Sequence, residues 1–176
     1  MAANQPLGTV SAEGIQVLLK DIDKYSDRVK AAIGHELLRS AQKIVRDAKV
    51  AAPKDQGRLA REITYAFRGE TKYSVISASE ISAFREFGTG RKARIPAAYS
   101  GIASQFRGIR IGGNGTAKQN IYAWCKRQGI AKKFWYLIYK SILRNGTKPQ
   151  PFFFPSYEAE IPQLEARLKK VIETQS

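Results

Sequence analysis

The spacing of apolar residues predicts a long helix in the N-terminal part of the chain. From Ser26 onward, apolar side chains recur every three or four positions, Ser26 suits an N-cap, and Pro53 closes the segment. A helix of about 24 residues is about 36 Å long, enough to cross a small domain. Its stripe comprises Val29, Ile33, Leu37, Ala41, Ile44 and Ala48. An earlier stripe, which predicts a preceding helix or the first part of the same one, comprises Ile15, Leu18, Leu19, Ile22 and Tyr25.

Alternation with a period of two follows this helix and predicts a small sheet. Residues 63–67 and 73–77 alternate apolar with polar side chains on either side of a turn, as the two half-buried strands of a hairpin do. Phe152–Phe154 lies among three prolines and is too apolar for a free loop, which favours a buried strand.

Helical spacing returns in the second half of the chain. It predicts a short helix near residues 98–106 and longer helices over residues 117–127 and 131–144. A C-terminal helix follows, which Ser156 caps and in which Pro162 causes a kink or a late start.

These elements predict an α+β fold in a single domain, residues 1–176. A long N-terminal helix and a C-terminal helix pack on a small antiparallel sheet. Residues 1–11 form a flexible arm, and residues 92–146 form a basic loop-and-helix insert.

The positive charge of the chain is concentrated in one region. Thirty Lys and Arg residues against fifteen Asp and Glu residues give a net charge of +15. Residues 71–150 hold 15 of the basic residues and two acidic ones, Glu80 and Glu86. A solvated surface usually mixes both signs, so this asymmetry favours an anionic partner such as nucleic acid or an acidic protein face. No apolar run of about 20 residues and no signal-peptide pattern is present, so we expect a protein made and kept in a cytoplasm, without a membrane partner.

Residues suited to catalysis are scarce. His35 is the one histidine and lies on the long helix, where a solvated or capping role is favoured. Cys125 lies beside Trp124 on an apolar face and is interpreted as a core thiol. The Gly-rich run 112–118 lacks the Gly-Lys-Ser/Thr ending of a phosphate-binding loop. We therefore expect no enzyme activity, no cofactor and no metal site.

Three short segments, taken in order, carry a resemblance to a known family. They are Ala51–Leu59, with Pro53 and Gly57; Arg85–Gly90, with Glu86, Phe87, Gly88 and Thr89; and Lys148–Pro155, with Pro151, Phe152 and Pro155. In this order and spacing they resemble the neck or tail-component family of tailed bacteriophages. In that family a long helix ends at such a turn, an EFGT strand end follows, and a proline-flanked strand precedes the last helix. This chain departs from the pattern at Gln56, where the family usually has Thr, and in the length of the insert.

The resemblance implies a structural virion protein that is assembled in the host cytoplasm. Six or twelve copies would form a ring in the head–tail neck, as a connector or tail-completion protein, around the passage for DNA. The implied partners are further copies of the chain, neighbouring connector and tail proteins, and genomic double-stranded DNA bound without sequence specificity. The same residues also have simple structural explanations, since glycines suit turns and Phe152–Phe154 suits a core.

DNA alone does not account for the basic residues of such a ring. A ring about 35 Å thick encloses about 20 phosphates, whereas six copies of residues 71–150 carry about 78 net positive charges. Some basic residues are therefore expected to meet protein surfaces. The candidates for the DNA-facing side lie in loops near glycines: Arg91, Lys92, Arg94, Arg107 and Arg110. The candidates for protein interfaces lie in the helical part of the insert: Lys126, Arg127, Lys132 and Lys133.

An alternative function is that of a free nucleic-acid-binding protein that grips its ligand with residues 71–150. Aromatic residues of that segment would then stack on bases: Tyr99, Phe106, Tyr122 and Trp124. A nuclease is the least favoured interpretation, because Glu80 and Glu86 form an acidic pair without a motif.

Overall fold

The computed structural model of the protein describes residues 8–11, 25–79, 81–105 and 117–175. The chain forms two compact units, which we call unit 1 (Met1–Ser82 with Pro151–Ser176) and unit 2 (Ala83–Gln150). The assignment of a single domain stays a prediction. The first predicted stripe, over residues 15–22, lies outside the described residues, as do Arg107 and Arg110.

Helix α1 (Asp27–Ala51) forms the centre of unit 1. Ser26 caps it as predicted, because Val29 N donates a hydrogen bond to Ser26 Oγ at 3.4 Å. All six residues of the predicted stripe are buried. The helix contacts both the sheet and the C-terminal helix, so the predicted stripe is covered within unit 1.

The sheet of unit 1 has three antiparallel strands in the order β1–β3–β2. They are β1 (Gly8–Ser11), β2 (Ile63–Gly69) and β3 (Lys72–Ser77), and the one-turn helix α2 (Arg58–Arg61) precedes β2. Strand β1 corrects the prediction of a flexible arm at residues 8–11, and residues 1–7 of that predicted arm lie outside the described residues. Its pairing with β3 relies on backbone hydrogen bonds, which leave no mark in the spacing of side chains.

The hairpin of β2 and β3 has the predicted position but a different exposure. Ile63 is buried, whereas 37% of Tyr65 and 63% of Phe67 is exposed, so the predicted half-buried face of β2 is wrong beyond its first residue. Tyr73 on β3 packs edge-on against Phe67, with ring centroids 5.5 Å apart. Because β2 is an edge strand, this aromatic pair lies on the surface of unit 1.

The C-terminal helix α7 (Phe154–Gln175) replaces the buried strand predicted at Phe152–Phe154. These three phenylalanines are buried, but Phe154 already begins the helix. Pro155 permits this because the N–H groups of a first helical turn have no intrahelical acceptor. Ser156 does not cap the helix, since its hydroxyl donates to the Phe152 carbonyl at 2.9 Å. The predicted late start at Pro162 is also wrong, because that proline lies inside α7.

A buried carboxylate joins α1 to α7. Glu160 Oε1 accepts hydrogen bonds from Ser40 Oγ at 2.7 Å and from Arg167 Nη2 at 2.6 Å, and Lys43 Nζ lies 3.0 Å from Glu160 Oε2. Burial raises the pKa of Glu160, but the hydrogen bonds from Arg167, Ser40 and Lys43 outweigh it and hold that pKa below its ordinary value. The carboxylate therefore stays charged and fixes the register of the two helices.

Unit 2 is mostly helical. Its elements are α3 (Ser82–Phe87, whose first residue belongs to unit 1), two short 3-10 helices (Gly90–Lys92 and Ala97–Tyr99), α4 (Ser100–Ser104), α5 (Ala117–Arg127) and α6 (Trp135–Asn145). The three helices predicted in the insert are present, and α3 replaces the strand end that the resemblance implies before Gly88. The fold class is α+β, as predicted. In the described part of the chain, no helix is both long enough and apolar enough to cross a membrane.

Candidate functional site

The second sequence motif is hydrogen-bonded to the start of the third within unit 2. Thr89 N donates to the Thr147 carbonyl at 3.0 Å, and Thr147 N donates to Thr89 Oγ1 at 2.9 Å. The two threonine hydroxyls are also 2.9 Å apart, and Gln150 N donates to the Arg85 carbonyl at 2.7 Å. We call this arrangement the clasp and define it as residues 85–90 and 145–150. The clasp closes the base of the insert, because the insert begins and ends there.

Two glycines allow the segments of the clasp to approach. Gly88 and Gly146 have φ angles of 75° and 76°, in the left-handed region that favours glycine. A Cβ on Gly146 would lie 1.8 Å from the Thr89 carbonyl oxygen, and one on Gly88 would lie 2.7 Å from the Thr147 carbonyl oxygen. The two glycines therefore supply turn geometry, as the sequence suggests for Gly88, and they also allow contact between two backbone segments. These segments lie almost 60 positions apart in the sequence.

Three of the candidate DNA-facing residues lie beside the clasp. Arg91 and Lys92 belong to the 3-10 helix that follows Gly90, and Arg94 N donates to the Phe87 carbonyl at 2.8 Å. Arg91 and Arg94 are exposed, and Lys92 is partly buried. The backbone of this segment is thus hydrogen-bonded to the clasp, with Lys92 N donating to the Thr89 carbonyl as well.

The four candidate protein-interface residues lie at one end of the α5–α6 pair. Lys126 and Arg127 are in the last turn of α5, and Lys132 and Lys133 precede α6. All four are exposed. Gly129, at a φ of 68°, ends α5 and turns the chain toward α6.

On the surface of α5 and α6, lysine ammonium groups lie over aromatic rings, an arrangement that the sequence did not lead us to predict. Trp135 packs edge-on against Tyr122 and Tyr136, with ring centroids 5.3 and 5.6 Å apart. Lys140 Nζ lies 4.7 Å from the Tyr136 ring centre, and Lys118 Nζ lies 5.9 Å from that of Trp135. These are cation–π distances. The signal was present in the run from Lys132 to Lys140, where six consecutive aromatic or aliphatic residues lie between lysines.

Helix α6 exposes more apolar surface than a solvated helix does. Seven of its 11 residues are apolar and all but Leu137 lie on one side of the helix, yet none of its side chains is buried among the described residues. Leu137 and Leu143 are 63% and 62% exposed. The apolar face of a helix is normally buried, so this surface is suited to a binding partner.

Unit 1 carries a groove between α1 and the β2–β3 hairpin. Apolar side chains line it, and its volume is about 370 Å³. Gly34 lets α1 approach the hairpin, since a Cβ there would lie 2.6 Å from the Glu70 carbonyl oxygen. The lining residues are Asp27, Lys30, Ala31, Gly34, His35, Leu38, Phe67, Glu70 and Tyr73. The lining combines the exposed ring of Phe67 and the Glu70 carboxylate with an ion pair, in which Lys30 Nζ lies 3.9 Å from Asp27 Oδ1.

The remaining candidate residues are structural in position. Cys125 is buried within unit 2, as the interpretation as a core thiol predicts. Gly57 has a φ of 68° and precedes α2, with Arg61 N donating to its carbonyl at 3.1 Å. Pro53 follows the end of α1, and Pro151 is exposed at the start of the second segment of unit 1. Glu86 and Phe87 are buried on α3.

Comparison with known proteins adds no relative. No family model matches the sequence, and neither the curated proteins nor the solved structures contain a significant match.

Proposed function

We propose that this chain is a structural virion protein that forms a ring in the head–tail neck of a tailed bacteriophage, around the passage for the DNA. In this role it acts as a connector or tail-completion subunit and performs no catalytic step. Its partners are further copies of itself, the adjoining connector and tail proteins, and the genomic DNA, which it contacts without sequence specificity.

The clasp is the observation that carries this proposal. Two of the three motifs on which the family resemblance rests are joined in unit 2 by the hydrogen bond from Gln150 N to the Arg85 carbonyl, although the insert separates them in the sequence. The bonds between Thr89 and Thr147, which directly precedes the third motif, support this contact. Because these segments contact each other and glycine permits their approach, the clasp holds the two ends of the insert together. A fixed base suits a subunit whose insert must contact its neighbours in a defined position.

The distribution of charge and apolar surface gives further support. Unit 2 combines a strong positive charge with a helix whose apolar side chains remain exposed. A monomer gains nothing from such a surface, whereas a subunit of an assembly uses it for contact with neighbours.

Electron microscopy of the chain, assembled with the virion proteins encoded beside it, tests this function. We expect a closed ring with a central channel at the junction of head and tail. Purified particles should contain the chain in a fixed ratio to their portal protein. Absence of the chain from assembled particles would overturn the proposal.

A pair of glycine variants links this test to the clasp. Gly146→Ala places a methyl group against the Thr89 carbonyl, whereas Gly101→Ala adds one where no other atom lies within 4 Å. We expect Gly146→Ala to reduce incorporation into particles at least about tenfold, through a loss of about 1.4 kcal/mol or more. Gly101→Ala should be incorporated normally.

A free nucleic-acid-binding protein is the second candidate function, and the grouping of exposed Arg91 and Arg94 beside the clasp favours it. In that case the isolated chain should bind duplex DNA tightly, with a steep dependence on salt concentration. Arg91→Ala with Arg94→Ala would then lower the slope of log K against log[salt] by about 2. Weak binding with a shallow slope would favour the ring subunit.

A further inference from the structure

The exposed face of α6 carries cations next to an apolar side chain. Lys140 and Arg144 follow Leu137 at three and seven positions, so the three side chains share one face of the helix. Leu137 is 63% exposed, and Lys140 and Arg144 are also exposed. Leu137 offers no ring on which a base could stack, so this side chain favours a protein partner, whereas nucleic acid would use the exposed rings of Phe134 and Tyr136.

Unit 2 has no acidic surface with which these cations could pair. Residues 83–150 contain 14 basic side chains and one acidic side chain, Glu86, which is only 3% exposed. Fourteen of the fifteen acidic residues of the chain belong to the segments that form unit 1. Complementary charge therefore exists within the sequence, but in the other unit.

The groove of unit 1 offers the matching arrangement. Phe67 and Tyr73 give it apolar walls. The Asp27 carboxylate at its rim is fully exposed and lies 3.9 Å from the ammonium of Lys30, which also lines the groove. Glu70, in the β2–β3 turn, is exposed as well. A volume of about 370 Å³ is too small for a whole helix and suits side chains that project from one.

We infer that the α6 face of one copy, Leu137 with Lys140 and Arg144, docks in the α1–hairpin groove of a neighbouring copy. Leu137 fills the apolar groove, and the two cations meet Asp27 and Glu70 at its rim. The contact joins two different surfaces and so propagates from copy to copy until it closes, as a ring requires. The inference rests on the proposed ring function and names the contact that builds the ring.

Charge reversal tests this contact. One variant, Lys140→Glu with Arg144→Glu, reverses the cations of α6; a second, Asp27→Lys with Glu70→Lys, reverses the rim of the groove. Each variant alone should self-associate about 100-fold more weakly than the wild-type chain in analytical ultracentrifugation, because like charges then face each other. Lys169→Glu with Lys170→Glu, two exposed lysines on α7, is a control of equal charge change that should associate normally.

Mixing the two reversed variants gives the decisive result. In a mixture, each α6 face meets a groove of opposite charge only if the copies alternate, so rings with an even number of subunits should form again. Association in the mixture should return to within about threefold of the wild-type value, which is less than 1 kcal/mol. Circular dichroism of each variant alone confirms that it is folded.

The outcomes separate this inference from the proposed function. If the mixture stays dissociated while the wild-type chain still forms rings in particles, the inference is wrong and the proposed function stands. A wild-type chain that stays monomeric but binds a duplex oligonucleotide or an acidic peptide through Leu137 and Lys140 would also overturn the inference, because the surface would then serve a different partner. Absence from particles overturns the function itself, whatever the variants do.

Discussion

Helices α1 and α6 illustrate two ways in which one chain uses apolar residues. The stripe of α1 is narrow, all of its six predicted residues are buried, and its cover lies within unit 1. Six of the seven apolar residues of α6 also share one side of their helix, yet none of them is buried among the described residues. The first pattern belongs to a helix of a core. An apolar helix face that stays exposed is suited to contact with another molecule, as the proposed assembly requires.

Equal truncations in the two helices should have unequal effects on stability. Leu37 in α1 is fully buried, whereas Leu137 in α6 is mostly exposed. We expect Leu37→Ala to lower the free energy of unfolding by about 2–5 kcal/mol and Leu137→Ala to change it by less than about 0.5 kcal/mol. Urea denaturation measures both. The contrast fails if Leu137→Ala destabilises the chain as strongly as Leu37→Ala.

The glycines of the clasp should matter for unit 2 and not for unit 1. Gly146→Ala introduces both a strained φ and a clash with the Thr89 carbonyl, which should cost about 2–4 kcal/mol. Hydrogen exchange followed by mass spectrometry should then show faster exchange of the amides in α5 and α6. The amides of α1 should keep their protection, as local opening of one unit predicts. Gly101→Ala serves as the control, and equal loss of protection in α1 would contradict the separation of the two units.

The sequence predicts the helices of this fold better than its tertiary contacts. Periodic spacing locates α1, α5 and α6 because each helix has regular local structure. It assigns a strand to Phe152–Phe154 because three adjacent aromatics look the same whether they begin a buried helix or form a strand. It misses β1, whose pairing depends on backbone groups and on a partner more than 60 residues away.

The sequence predicts which residues of the insert are exposed but not how its segments meet. The four residues predicted for protein interfaces are exposed at one end of the α5–α6 pair, and their role there stays a prediction. Contact between Thr89 and Thr147 does not follow from the sequence, because nothing local distinguishes a glycine that turns the chain from one that admits a second backbone. The groove of unit 1 was not predicted either, because the alternation of residues 63–67 placed Phe67 on a buried face, whereas it is exposed.

The buried carboxylate that joins α1 to α7 offers a test of the packing within unit 1. Glu160→Gln keeps the shape of the side chain and removes the charge that Arg167 and Lys43 face. Because both cations are partly exposed, we expect a moderate loss of about 1–3 kcal/mol at neutral pH. Thermal or urea unfolding measures this loss, and Glu165→Gln, on the same helix but partly exposed, is the control.

The pH dependence of that loss has a definite sign. The pKa of Glu160 in the folded chain lies below its ordinary value of 4.5, so the carboxylate contributes stability that is fully present above that value. This contribution disappears as the pH falls through the lowered pKa. The difference in unfolding free energy between the wild-type chain and Glu160→Gln should therefore shrink below pH 4.5. A difference that grows as the pH falls would contradict the assigned role.

Lysines over aromatic rings provide the smallest and most discriminating comparison. Lys140→Met and Lys118→Met each remove a cation from above a ring, at 4.7 Å from Tyr136 and 5.9 Å from Trp135, and retain an apolar chain of similar length. Each should lower the free energy of unfolding by about 0.5–1 kcal/mol, the usual value of an exposed cation–π contact.

Self-association should distinguish the two variants, because Lys140 also faces a carboxylate of the neighbouring copy in the docking that we infer. Lys140→Met should weaken association about tenfold and Lys118→Met by less than about twofold, as measured by sedimentation. Equal effects on association would mean that both lysines act only by stabilising unit 2, and that Lys140 has no special part in the contact between copies.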